Sequence, residues 1–426
     1  MDKKKILVTM LETGFGHKSP AMAVQESLIA LAGDQVNVDV VDFAQESGAY
    51  RDDLAIKGSW DLALAFPLSA RIGYLLVEMS GKNKKYIDVL FREFVIKGID
   101  YIDRYKPDII FSTHPLTLYV AVRAREVLGA KFKVAAYVVD PFDGYSWWAN
   151  EGADALLVAS QESRDRLVAH GVRPEIIHQF GFPIKKAFFD LRPHDGESLR
   201  KLGLDPDRLT LLISAGAQGI GNIYFFAELL YLTKTPVNLI VVAGKNKTTK
   251  RRFDTLKRAI PSRTGLVSLG YVTNMNELMS ISDAIVGKAG ASTAMEAFFM
   301  GKPFIFTEWA TYNDRYIIQF AKKYKIGWYA PYPLVFANLI KRLSEGGELL
   351  DYTKNLERLA MEPGTDDVAR YLLGMLGVEP AQGAAEAAIA EAEAGASEVR
   401  TVASQAPAGS EATSQTEPPD TARSWA

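Results

Sequence analysis

The sequence predicts two doubly wound α/β domains in tandem, and three observations carry that expectation. Short continuous apolar runs alternate with helical patterns along most of the chain; the alternation stops at a Pro- and charge-rich stretch and then restarts; and a length of 426 residues suits two domains. In the first domain the runs are 6–10, 36–43, 108–113, 134–140 and 155–159, and in the second 209–214, 237–243, 266–269, 283–286 and 303–307. Runs of this kind, without polar alternation, are parallel strands covered by helices on both faces. The break over 182–208 divides the chain into an N-terminal domain, 1–185, and a C-terminal domain, 186–380, whose last helix, about 365–377, is free to pack back on the first. From 381 to 426 the composition turns to Ala, Glu, Ser, Thr, Gln and Pro, which reads as a disordered tail with a frayed helix over 384–394.

Composition excludes several chemistries. With no cysteine there is no thiolate nucleophile, disulfide, zinc–thiolate site or iron–sulfur cluster. A net charge of −2 gives no case for nucleic acid as a partner. The start has three lysines before a short apolar run and no small-residue cleavage site, so it reads as a first strand of a cytoplasmic protein. The most apolar long stretch, 60–79, is broken by Asp61, Pro67 and Arg71 and falls short of the roughly 20 apolar residues a span needs, so membrane association should be peripheral. No Walker loop, Gly-x-Ser-x-Gly elbow or His-Glu-x-x-His pair is present, and no metal site is expected.

Four loops at strand ends carry the candidate chemistry. Gly14, Gly16 and His17 follow the first strand and open a helix; the glycines allow close approach to a ligand, and His17 is either a base for an acceptor hydroxyl or a solvated turn residue. Gly290, Ala291, Ser292 and Thr293 open a helix in the second domain, where free N–H groups and the helix dipole suit a diphosphate. Lys288 either neutralises that phosphate or snorkels at the sheet edge, and Glu296, three residues after Thr293, either binds ligand or closes a capping box. Gly216, Gln218 and Gly219 form a third small-residue loop, suited to a diphosphate or to close helix–sheet packing. Asp140, before Pro141, positions an acceptor, orients a base, or makes an Asp-Pro turn.

Together these loops resemble the GT-B glycosyltransferases, and within them the monogalactosyldiacylglycerol synthase and processive diacylglycerol glucosyltransferase family. The resemblance spans about 5–329 and is most specific in the second domain, in Gly244-Lys245-Asn246-Lys247, Gly270-Tyr271-Val272-Thr273-Asn274-Met275, Lys288-Ala289-Gly290 and Glu296-Ala297. Gly14-x-Gly16-His17, His114-Pro115-Leu116, Asp140, Trp148 and Phe180-Gly181-Phe182-Pro183-Ile184 are similar to family landmarks in the first. The resemblance implies two Rossmann-like domains facing across a cleft and a single inverting displacement. His17 would be the base and Asp140 a second catalytic residue; backbone around Tyr271 and Val272 would hold uracil, Glu296 the ribose, and the loops at Gly216–Gly219 and Gly290–Thr293 the diphosphate, with no obligatory metal or other cofactor. The partners implied are a UDP-sugar and a lipid acceptor at the inner face of the plasma membrane, with 60–97, which mixes apolar residues with Lys82, Lys84 and Lys85, as the membrane contact or else an ordinary surface helix. Where the family usually carries Pro-Gly-Gln-Glu, this chain has Thr311-Tyr312-Asn313-Asp314, so Asn313 and Asp314 are shorter counterparts of the pair that meets the donor sugar. Two other readings stand: the same fold with another acceptor, such as an undecaprenyl-linked sugar or a soluble aglycone, and a non-catalytic relative that binds nucleotide sugar or lipid.

Overall fold

The computed structural model describes residues 3–381 apart from 13–14, 81–83, 190–195, 217 and 220. Gly14, Lys82 and all but the first residue of the expected tail therefore lie outside the described residues. The first domain runs β1 (Lys4–Met10), α1 (Phe15–Ala32), β2 (Val36–Asp42), α2 (Phe43–Ser47), α3 (Tyr50–Ala65), α4 (Pro67–Ser80), α5 (Tyr86–Leu90), α6 (Arg92–Tyr105), β3 (Ile109–Ser112), α7 (Pro115–Leu128), β4 (Lys133–Tyr137), β5 (Ala155–Val158), α8 (Gln161–Ala169) and β6 (Ile177–Gln179). The second runs α9 (Gly196–Lys201), β7 (Thr210–Ser214), α10 (Ile223–Leu232), β8 (Asn238–Val242), α11 (Lys247–Ala259), β9 (Gly265–Leu269), α12 (Met275–Ser280), β10 (Ala284–Lys288), α13 (Ala291–Phe299), β11 (Phe304–Glu308), α14 (Tyr312–Lys323), β12 (Gly327–Tyr329), α15 (Pro333–Glu345), α16 (Glu348–Leu359) and α17 (Thr365–Met375).

Both sheets have six strands, ordered β2-β1-β3-β4-β5-β6 and β12-β11-β10-β7-β8-β9, and the pairings between neighbours are parallel. Every residue of β3, β5, β7 and β8 is buried, as expected of apolar runs with helices on both faces. Two edge strands escape the sequence pattern: β6 and β12 are three residues each, too short to show a periodicity. The apolar run ending at Asp140 also outlasts its strand, since β4 stops at Tyr137 and Asp140 sits in the loop beyond.

Strand order decides where ligands belong. The direction of winding reverses between β1 and β3 in the first sheet and between β7 and β10 in the second. A crevice opens at the carboxyl ends of the strands at such a reversal. Gly16 and His17 lie in the first turn of α1, after β1, and His114 in the loop after β3; the loops after β7 and β10 carry Gly216, Gln218 and Gly219, and Gly290.

The chain crosses twice between the sheets, near Gly181 and near Gly364. A Cβ on Gly364 would lie 2.0 Å from the Gly181 carbonyl oxygen, and one on Gly181 2.3 Å from that of Glu362, so the strands cross backbone to backbone. Beyond the second crossing, α17 lies on α1 of the first domain, with Val368, Ala369, Leu372 and Leu373 wholly buried and Asp366 accepting from Ser27 at 2.6 Å.

Candidate active site at the domain seam

Helices α1 and α13 meet at their N-terminal ends across the seam, and a proline in α1 shapes the contact. Pro20 lacks the N–H that would satisfy the Gly16 carbonyl one turn back. That carbonyl instead accepts the Ser292 hydroxyl from α13 at 3.0 Å. One turn further along α1, Ser19 donates to the Glu296 carboxylate at 2.8 Å.

His17 lies at this junction. Its Nδ1 is 2.5 Å from the Thr113 carbonyl oxygen, an acceptor only, so Nδ1 carries the proton and Nε2 keeps the lone pair. Burial pulls the imidazole down to about 4, against the upward pull of the Thr113 bond, so the ring is neutral through the physiological range. His114 stacks at a tilt with ring centroids 4.4 Å apart. Its role is local: Nδ1 accepts the Leu116 N–H at 3.2 Å and caps α7, and burial together with His17 keeps it uncharged.

Asp140 forms a second node. Its carboxyl accepts the indole N–H of the buried Trp148 at 2.8 Å and, from across the seam, the Asn313 amide. Burial raises it to about 7 despite both bonds. Among the described residues no hydrogen bond joins Asp140 to His17, so the group orienting the base is the Thr113 carbonyl, not Asp140 as the sequence allowed.

The donor residues are less uniform. Glu296 does not close a capping box: α13 is capped by Gly290 and starts at Ala291, leaving Glu296 in mid-helix, 8% exposed, its carboxyl pushed up to about 7 by burial. The capping box lies at α14, where Asp314 accepts the N–H groups of Ala310 and Thr311 at 2.8 and 3.0 Å. Asp314 is thus committed to the backbone, and Asn313 is the member of the pair that reaches the first domain. Lys288, at the end of β10, is pulled down by burial and held up by Glu308 and Asp314. Gly216 and Gly219 have φ of 77° and 65°, and a Cβ on Gly219 would sit 1.9 Å from the Ala243 carbonyl oxygen, which only glycine avoids. Asn246 fixes that loop by donating to the Gly219 carbonyl at 3.1 Å while capping α11. Gln218 is exposed, Tyr271 is half exposed at the rim, and Val272 packs against the core.

The arrangement therefore offers a neutral imidazole with a free ring nitrogen at one domain's switch point, on the helix whose Gly16 and Ser19 bond to the start of α13 and to its buried Glu296. Ser19, Thr113 and Glu308 were not read from the sequence. A backbone carbonyl and a helical serine have no sequence signature, whereas Glu308, an acid ending an apolar strand with one buried carboxyl oxygen unpartnered, could have been noticed.

Lys84 departs from the expected basic membrane face. It is buried, donates to the carbonyls of Trp147 and Ala149 at 3.0 and 2.5 Å, and is pulled down to about 7 by desolvation. The apolar part of that segment is exposed: Leu62, Phe66, Leu68, Ile72, Leu76, Met79, Val89 and Leu90 each show more than half their surface. Among the described residues no helix is long and apolar enough to cross a membrane.

Two family models match the chain: monogalactosyldiacylglycerol synthase over residues 17–184 and the glycosyltransferase family 28 C-terminal domain over 211–322. A probable chloroplastic monogalactosyldiacylglycerol synthase of Nicotiana tabacum is 25% identical over 84% of this chain and 68% of its own length. A processive diacylglycerol beta-glucosyltransferase of Bacillus licheniformis is 27% identical over 71% of this chain and 76% of its own. Among solved structures, Acinetobacter baumannii MurG superposes with a TM-score of 0.56 at 15% identity, covering 86% of this chain and 99% of its own. Anabaena HepE in complex with UDP-glucose gives 0.52 at 15%, covering 87% and 99%. These two likenesses show the fold.

Proposed function

Because the chain belongs to the GT-B glycosyltransferase family of the monogalactosyldiacylglycerol synthases and processive diacylglycerol glucosyltransferases, we propose that it moves a hexose from a UDP-sugar onto diacylglycerol at a bilayer surface, with inversion. The observation that carries the reading is His17. Its Nδ1–H is fixed on Thr113, which leaves Nε2 as the proton acceptor, and the preceding residue, Gly16, takes the Ser292 hydroxyl where α13 begins. Nε2 takes the acceptor hydroxyl's proton as that oxygen bonds to the anomeric carbon; the bond from that carbon to the phosphate oxygen breaks, and UDP leaves with the electron pair. Its negative charge falls at the N–H groups opening α13, with Lys288 close to the same strand end, so the reading calls for no metal ion. Glu296 faces the ribose hydroxyls once Ser19 yields to them.

The acceptor side rests on the exposed apolar surface of α3, α4 and α5. Exposed apolar side chains gathered in one segment suit a membrane or partner contact, and a lipid acceptor requires the former. The enzyme would sit peripherally on the cytoplasmic leaflet.

The test is transfer from UDP-glucose and from UDP-galactose to vesicles containing diacylglycerol, following released UDP and new glycolipid. One donor should yield glycolipid, and His17→Ala should lower transfer by about 10²- to 10⁴-fold with UDP binding nearly intact. UDP binding without product from either donor would defeat the proposal, and full activity in His17→Ala would remove it as the base.

A further inference from the structure

Helix α4 touches both segments that hold Asp140. Counting about 100° per residue, Leu68, Ile72, Leu75, Leu76 and Met79 share one exposed face, and Arg71, Tyr74 and Glu78 lie on a second face roughly 110° round the helix. On this second face, the Arg71 guanidinium carbon stacks 3.5 Å from the ring centroid of Trp309 in the second domain, and the Tyr74 ring lies 5.6 Å from that of Tyr312. Arg315 stacks on Trp309 as well, at 5.3 Å. These aromatics open the turn that delivers Asn313 to Asp140.

The same face also grips the loop on the other side. Tyr74 donates to Asp143 at 2.6 Å, Glu78 accepts the Ser146 N–H at 2.7 Å, and Arg166 ties Asp143 and Glu78 together at 3.0 and 2.7 Å. That loop carries Trp148, the other donor to Asp140. Arg71 is not placed by an acid: its Nε is buried without a hydrogen-bond partner, and the stack on Trp309 is its principal contact. Both side chains are half-buried, so the cation–ring attraction is only partly screened by water.

We propose that Arg71 is a positioning residue that joins bilayer contact to the donor-sugar turn: when the apolar face of α4 seats on lipid, the Arg71–Trp309 stack steadies the turn at 309–314 and, through Asn313, the carboxyl of Asp140. The inference rests on the membrane contact proposed above. It assigns to Arg71 an effect on the sugar and none on the nucleotide, because Glu296 and Tyr271 lie on other elements.

Arg71→Ala should lower kcat/KM for the UDP-sugar by about 10- to 100-fold, the scale of a misplaced reacting group, with UDP affinity within about twofold and a melt that stays cooperative. Arg71→Lys should recover part of the loss, since the cation over the ring remains. The coupling is read separately, by hydrogen exchange over 309–316 with and without phosphatidylcholine–phosphatidylglycerol vesicles that lack diacylglycerol. Exchange should slow on vesicle binding in the wild type and not in Arg71→Ala. Wild-type kcat/KM in Arg71→Ala would overturn the positioning role. Vesicle binding without slower exchange in the wild type would overturn the coupling and leave the transfer proposal standing; absence of vesicle binding would overturn both the coupling and the membrane contact.

Discussion

At Glu296 the fold holds a carboxyl where ionisation is unfavourable. Its ordinary value is 4.5, and burial raises it to about 7 although Ser19 and Lys185 favour the charged form. Between those two pH values the folded state binds more protons than the unfolded one, so this group makes stability fall as pH rises, with the full cost reached above about 7. That cost is on the order of 3 kcal/mol. Glu296→Gln should therefore melt higher than the wild type at pH 8 and no higher at pH 4, yet bind UDP less tightly in titration calorimetry. Equal melts at pH 8 would show that the carboxylate is not strained. The residues visible in the sequence here are those in the turns that follow strands or open the next helix, such as Gly16, His17 and Asp140. What the sequence hid was partnership: Thr113 acts through its backbone, and Ser19 is an ordinary helical serine until the second domain is folded against it.

Among the elements, the long apolar strands and the helices after them could be read because burial on both faces leaves a continuous apolar run, whereas β6 and β12 could not because three residues carry no pattern. The start of α13 was open between Gly290 and Thr293. Thr293-x-x-Glu296 fits a capping box, and only the backbone turn at Gly290 decides that the helix begins earlier. Helix α4 showed its broken apolar run but not its second face, since Arg71 and Tyr74 find their partners about 240 residues away. Its lipid-facing side gives a prediction of its own. Each apolar side chain seated in a bilayer contributes roughly 1.5–3 kcal/mol, so Ile72→Glu with Met79→Glu should abolish vesicle sedimentation while leaving the melt and UDP binding unchanged. Undiminished sedimentation would move the membrane contact elsewhere.

For the whole molecule, the first domain is covered partly by the end of the chain. Ala381 still donates to the Leu31 carbonyl at 2.8 Å, and Glu379 accepts from Gln35 at 3.0 Å, so the last described residues remain attached to α1 and the turn after it. Removal of 382–426 should leave the melt and turnover unchanged. Removal from 364 onward should uncover the apolar face of α1 and broaden or abolish the cooperative transition; a sharp, unshifted melt would show α17 to be dispensable. The two-domain plan was legible from the repeat of the strand pattern, while the closeness of the crossing at Gly181 and Gly364 was not, because two glycines 183 positions apart carry no mark of touching.

That docking also sets an order of events during synthesis. Ile184 closes the first domain, but Thr365, which bonds to it in both directions, lies 181 residues later. At roughly 5–20 residues per second the ribosome takes about 10–40 s to make that stretch. Throughout that interval the side of α1 bearing Ser27, which later bonds to Asp366, has no α17 over it. A nascent chain in this state is open to wrong association or to a chaperone, and the second domain finishes every strand before the first is sealed. The part translated first is the part completed last.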